Sequence, residues 1–253
     1  LKALELHNAL HPARQVPVPQ VYAYCKDAAV LGAEFYVMEF VQGRIFTDPS
    51  LPGMTVEDRR AAYVNVLRVL TNLHSVDFNE VGLSTYGKVG RYVERNIQRL
   101  MAVSRKQSEL EQVPALDAIS HQLSRAAPHC PNHTSVLHGD FKVDNMIFSE
   151  TDSTIVAVLD WELSTIGDPL CDLANLSMMY FIPQDKGMGI AGLLGMDLEK
   201  LGIVSREELL QRYVELNPRI SIEETKKWFG FYLAFLFFKN CVIVQGVAQR
   251  AKA

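Results

Sequence analysis

The 253 residues carry 25 basic and 29 acidic side chains, a net charge of −4, with 48% apolar, 21% charged and 9% aromatic residues. That balance excludes an intrinsically disordered chain and a general basic footprint for nucleic acid or anionic membrane. It supplies core enough for one large domain or two small ones. Cys25, Cys130, Cys171 and Cys241 stand far apart with no CxxC pair, which fits a soluble intracellular protein in a reducing compartment. The chain opens on Leu1 rather than Met, which reads as a cut rather than a start.

A short helix is expected over Leu1 to Leu10, ended by the run Val16-Pro17-Val18-Pro19. Val21 to Cys25 and Glu34 to Val41 read as two strands around a turn containing Gly32. Thr55 and Asp58 form a capping box, and Tyr63, Val66, Leu67, Leu70 and Leu73 recur at helical spacing behind it. A second helix is expected from about Gly90 to Ser108. From Ser135 the texture changes: Val136-Leu137, Met146 to Phe148 and Ile155 to Leu159 are short apolar runs separated by a loop and a polar turn. They predict a β-hairpin lodged between helices. Ser205 with Glu208 and Ser221 with Glu224 are capping boxes that open the last two helices. The apolar run Trp228 to Phe238 is too short to span a bilayer and reads as a buried core helix, so no transmembrane segment is expected.

The chemistry is concentrated in His138-Gly139-Asp140-Phe141-Lys142-Val143-Asp144-Asn145, followed by Leu159-Asp160-Trp161. Asp140 stands in a loop just after a strand, where a carboxylate can accept a hydroxyl proton. Asn145 returns across that loop with a carbonyl oxygen, and Asp160 ends the hairpin and comes back beside Asn145. Two oxygen ligands and a neighbouring carboxylate suit Mg²⁺, which takes phosphates and water as its remaining ligands. Phosphoryl transfer has that requirement, because its catalysis is mostly positioning and charge neutralisation.

These residues resemble the catalytic loop and metal-binding Asp of the kinase fold, in the aminoglycoside phosphotransferase-like branch that reads HGD in place of HRD. The resemblance implies an α+β, protein-kinase-like bilobal fold with a mostly helical C-lobe and a catalytic β-hairpin. It makes Asp140 the catalytic base, Asn145 and Asp160 the Mg²⁺ ligands, and Lys142 the loop lysine on the transferred phosphate. Phe35-Tyr36-Val37-Met38-Glu39-Phe40-Val41 matches the strand into the interlobe hinge, where ATP's adenine meets the backbone of Glu39 and Val41. Met38 stands either at the gatekeeper end of that strand or as a buried sheet residue. Asp168, before Pro169, would cap the next helix; Asp172 would brace the catalytic loop, and His138 would support it.

The stretches Phe-Tyr-Val-Met-Glu-Phe-Val-Gln-Gly-Arg-Ile-Phe and Leu-Asp-Trp-Glu-Leu-Ser-Thr-Ile-Gly-Asp-Pro-Leu look like the kinase domain found fused to acyl-CoA dehydrogenase domains. That resemblance implies ATP-dependent phosphorylation of a 4-hydroxyacyl-CoA hydroxyl in fatty-acid breakdown, with mitochondrion, peroxisome or cytoplasm as the compartment. Other small alcohols, an aminoglycoside or choline, remain open as acceptors. The phosphate loop, the lysine on the ATP phosphates and its helix glutamate all lie upstream of the hinge in this fold. Only about 34 residues precede Phe35; Lys2 and Glu5 are not assigned those roles. Residues 1–41 are therefore expected to be a remnant N-lobe and 42–253 the C-lobe. A catalytically inactive kinase-like binding module is the alternative reading.

Three further patterns carry less. Gly82 to Val89 nearly spells a P-loop, but Val89 replaces the required Ser or Thr. His129, Cys130, His133 and His138 lack paired metal-ligand spacing across Pro128 and Pro131. Arg91, Arg95 and Arg99 fall on one helix face, either as a solvated basic face or as a holder of acidic substrate groups such as CoA phosphates.

Overall fold

The computed structural model describes residues 6, 9–10, 16–108, 113–185 and 191–252. Leu1 to Glu5, with Lys2, lie outside the described residues, while Leu6, Ala9 and Leu10 are helical and buried. Strands β1 (Val21–Cys25) and β2 (Phe35–Met38) pair antiparallel. A helical turn, Ala28–Leu31, connects them; Asp27 accepts from the Ala29 N–H at its start and Gly32 closes it at φ +84°. The second strand is shorter than expected. Glu39 keeps one ladder-like bond, its N–H donating to the Gln20 carbonyl at 2.8 Å, and Phe40 has left the sheet.

Two further small sheets hold the motif. β3 (Arg44–Ile45), β5 (Met146–Phe148) and β6 (Ile155–Val158) form one, with β5 central. β4 (Ser135–Leu137) and β7 (Thr165–Gly167) pair antiparallel as the other. The hairpin expected from the apolar runs is β5–β6. β3 and β7, two and three residues long, are too short to show a period of two.

The helical body comprises α1 (Val56–Ser75), α2 (Tyr92–Ser108), α3 (Pro114–Ala126), α4 (Leu170–Ser177), α5 (Arg206–Leu216) and α6 (Ile222–Lys252). The N-cap half of all three expected capping boxes forms: Thr55, Ser205 and Ser221 hydroxyls accept from the N–H groups of Asp58, Glu208 and Glu224 at 3.0 to 3.1 Å. Helix α2 starts at Tyr92 rather than Gly90, because Gly90 and Arg91 adopt left-handed φ values of +73° and +48° that cannot continue a right-handed helix. Helix α3 escaped the sequence reading, although Pro114 sits at its first turn where proline is tolerated.

The run Trp228 to Phe238 lies in a 31-residue helix, which corrects the reading of a short segment. By length and composition this helix could cross a membrane. Here it packs against α2, α3 and α4, burying Phe229, Tyr232, Phe235, Leu236, Phe238 and Val242 as the spine of the core. On the other side, α1 packs on α5 and β4, and its Tyr63, Leu67 and Leu70 are fully buried. The α+β bilobal architecture expected from the motif is present, and the two small sheets carry the catalytic segment between these helices.

Candidate active site

β4 ends at Leu137 and delivers His138 into a fully buried position. Its Nε2 donates to the Leu159 carbonyl at 2.8 Å and its Nδ1 accepts the Asp140 N–H at 3.2 Å. A carbonyl needs a donor and an N–H needs an acceptor, so this geometry selects the neutral Nε2–H tautomer. Burial pushes the imidazole below its ordinary value and outweighs the neighbouring Asp172 charge. The ring lies against Trp161 and Phe141 at centroid distances of 4.6 and 5.8 Å.

Gly139 adopts φ +86°, and a Cβ there would lie 2.4 Å from the Leu163 carbonyl oxygen. The loop therefore needs glycine for both its turn and its close approach. Asp172, at the start of α4, holds the loop from below: Oδ2 accepts the His138 N–H at 2.7 Å and Oδ1 the Gly139 N–H at 2.9 Å. Burial alone would raise this carboxyl; the His74 hydrogen bond at 3.4 Å, with the His74 and His138 contributions, holds it below the ordinary carboxylate range. Asp168 accepts the Leu170 N–H at 3.1 Å, capping α4, and the Tyr232 hydroxyl at 2.6 Å. Burial pushes it up to about 6.

Asp140 faces a cleft of about 420 Å³ lined also by Lys142, Asp144, Asn175, Met179 and Lys239. Asn175 donates to Oδ1 at 3.3 Å and Asn145 to Oδ2 at 3.2 Å, so an amide orients each carboxylate oxygen. Lys142 reaches Asp140 at 3.4 Å and Asp144 at 3.1 Å. Its partial burial opposes the charged form, yet these two carboxylates raise its basicity overall.

The hairpin brings Asp160 back as expected. The Leu159 N–H donates to the Asn145 carbonyl at 2.8 Å, so the next residue, Asp160, emerges beside Asn145. Asp160 sits in the left-handed region at φ +64°, an uncommon place for a residue with a Cβ. The Asn145 amide nitrogen is committed to the Asp140 carbonyl and carboxylate, which leaves Oδ1 as its ligating atom. Among the described residues no group of three or more His, Cys, Asp or Glu gathers to hold a metal. Asn145 and Asp160 offer two hard oxygen donors rather than a cage, which would suit a cation that completes its shell with phosphates and water.

Met38 lines a small cavity with Val18, Pro19, Val21, Tyr36 and Asp160. It is 40% exposed, so the buried-sheet alternative fails. Glu39 and Val41 lie just beyond; the Glu39 carboxylate accepts the Gln20 N–H at 3.2 Å. Asn175 and Lys239 escaped the sequence reading. The Lys239 ammonium donates to the Gly139 carbonyl at 2.9 Å from one hundred positions away. Asn175 carried a signal: it follows Asp172 by three residues, on the same face of α4.

Comparison with known proteins gives a consistent picture. Residues 1–201 match the family described as "Phosphotransferase enzyme family". Acyl-CoA dehydrogenase family member 11 of Rattus norvegicus is 41% identical over 234 residues, which is 92% of this chain and 29% of that protein. A Ralstonia eutropha protein provisionally described as an aminoglycoside phosphotransferase superposes with TM-score 0.82 at 37% identity, over 98% of this chain and 73% of its own. A mutant of aminoglycoside phosphotransferase APH(4)-Ia, solved in a ternary complex with AMP-PNP and hygromycin B, shares the fold at TM-score 0.64 and 14% identity, over 98% of this chain and 78% of its own.

Proposed function

Because the chain belongs to the phosphotransferase enzyme family, we propose that it transfers the γ-phosphoryl group of ATP to the hydroxyl of a small molecule. The observation that carries this reading is the Asp140 carboxylate, fixed by two amides and open to the cleft, with Asn145 hydrogen-bonded to it and Asp160 one residue past the Leu159 N–H that bonds the Asn145 carbonyl. Asp140 accepts the proton of the acceptor hydroxyl as its oxygen bonds to the γ-phosphorus and the bond to the bridging oxygen breaks, releasing ADP. Asn145 and Asp160 would hold Mg²⁺, whose charge would offset that of the phosphates. Lys142, poised between Asp140 and Asp144, would offset charge on the transferred phosphoryl group. Met38 and the backbone of Glu39 and Val41 would border the adenine.

For the acceptor we favour a 4-hydroxyacyl-CoA, which accords with relatives named for acyl-CoA dehydrogenases. The chain spans only 29% of such a relative, so the enzyme is to be assayed as the full-length protein. ATP turnover is measured against hydroxyacyl-CoAs, aminoglycosides and choline, with wild type and Asp140→Asn. The expected result is a phosphorylated hydroxyacyl-CoA, formed about 10²- to 10⁴-fold more slowly by the variant. No product from any acceptor would overturn phosphotransfer and leave a kinase-like binding module, and equal rates of product formation by both proteins would overturn Asp140 as the base. Product from aminoglycosides alone would overturn the acyl-CoA assignment.

A further inference from the structure

Behind Leu163 and Lys239, which line the Asp140 cleft, lies a second cavity of about 290 Å³. Lys88, Arg95, Arg99 and Lys239 surround it, with Tyr92 and Asn96 between them. The three basic residues of α2 and its approach thus separate by role. Arg91 is neutralised by Glu94, to which it donates from Nε and NH2 at 2.6 and 2.5 Å. Arg95 and Arg99 instead turn to the cavity, and neutral acceptors hold them there. Arg95 donates to the Lys88 carbonyl at 2.5 Å and Arg99 to the Asn96 side-chain oxygen at 3.2 Å. Among the described residues, no carboxylate forms an ion pair with Lys88, Arg95, Arg99 or Lys239.

Uncompensated like charges around a concavity repel one another and focus a positive potential into it. Such a cavity draws multivalent anions, and guanidinium groups match phosphate oxygens in geometry. It also repels cations, which sets it against polycationic aminoglycosides and against choline. We infer that this cavity is an anion subsite of the acceptor site, holding a phosphate or pyrophosphate group carried by the acceptor at a distance from the hydroxyl that meets Asp140. The inference rests on the phosphotransferase reading and narrows its acceptor to phosphate-bearing molecules. Coenzyme A carries that chemistry; its pantetheine portion alone does not.

Calorimetric titration of the full-length protein tests the subsite apart from turnover. AMP-PNP is kept saturating so that the adenine of the probe cannot report on the nucleotide site. Coenzyme A is expected to bind about tenfold more weakly, or worse, to Arg95→Gln and to Arg99→Gln, since each loses a charge-assisted contact. Arg91→Gln is expected to bind as wild type, pantetheine to be indifferent to all three substitutions, and Arg95→Lys to recover part of the loss. Inorganic pyrophosphate is expected to compete with coenzyme A. Coenzyme A binding that is equal in wild type and both glutamine variants would overturn the subsite. So would an equal loss for pantetheine, or no binding of coenzyme A and pyrophosphate by wild type. Product formation that ignores Arg95 and Arg99 would sink the subsite and leave phosphotransfer standing; arginine-dependent binding without product would do the reverse.

Discussion

In the loop from His138 to Asp140, each backbone N–H meets a side-chain acceptor: Asp172 takes the first two and the His138 ring takes the third. Buried aromatic rings close over it. The β1–β2 sheet is built differently. Among the described residues its two strands pair only with each other, and Tyr22, Tyr36, Val37 and Met38 are between 40% and 64% exposed. A two-stranded sheet is marginal without a packed face. The two regions differ in stiffness: Asp140, the proposed proton acceptor, stands on an over-determined loop, and Met38 and Glu39, the proposed adenine border, stand on or beside a sheet with little described support. Local opening is therefore expected to start at the sheet and to reach the loop only with global unfolding.

The sharpest way to break that comparison is Asp172→Ala. The substitution strands two buried N–H groups and His74, a loss of about 3–5 kcal/mol by analogy with removing one partner of a buried pair. Amide exchange of the His138 and Gly139 N–H groups in the full-length protein is then expected to accelerate at least a hundredfold, while exchange in Val21–Cys25 stays unchanged. An acceleration under fivefold would mean that packing, not this carboxylate, holds the loop.

A smaller effect separates the two carboxylates at the start of α4. Asp168 titrates near 6 in the fold, against an ordinary value of 3.8. The folded state then binds the proton more tightly than the unfolded chain. Stability from this group is full below about pH 4, declines as pH rises through the window from about 4 to 6, and is level above it. At about 1.4 kcal/mol per pH unit, the decline is on the order of 3 kcal/mol. Asp168→Asn keeps an acceptor for Leu170 or Tyr232 without the charge and should flatten that slope in unfolding midpoints taken against pH. A wild-type stability that rises across the same window would contradict the burial argument.

What could be read from the sequence follows from distance along the chain. Asp140, Asn145 and Asp160 lie within 21 residues, so one loop and one hairpin suffice to assemble them, and their spacing exposes the geometry. The N-cap bonds of the capping boxes are equally local, and each formed. Asn175 and Lys239 act on the same loop from 35 and 100 residues away, and their types are ordinary on helices. Lys239 still left a trace as the charge that ends the apolar run from Trp228. The division of Arg91 from Arg95 and Arg99 was hidden: Arg91 stands at a left-handed φ just before the helix and pairs there with Glu94. β3 and β7 exist because β5 and β4 offer them an edge, a tertiary cause that no short-range pattern records.

The smallest expected effect bears on the sheet. Phe40 is 90% exposed and makes no ring contact among the described residues. An exposed apolar side chain gives up little when replaced, so Phe40→Ser should change stability by no more than about 0.5 kcal/mol. Exchange rates over residues 35–41 of the full-length protein read that change directly, since a shift of that size alters them by a factor of about two. A tenfold acceleration would require Phe40 to lose buried contacts. Another part of the whole protein would then cover the sheet, and the proposed adenine border would owe its stiffness to that cover.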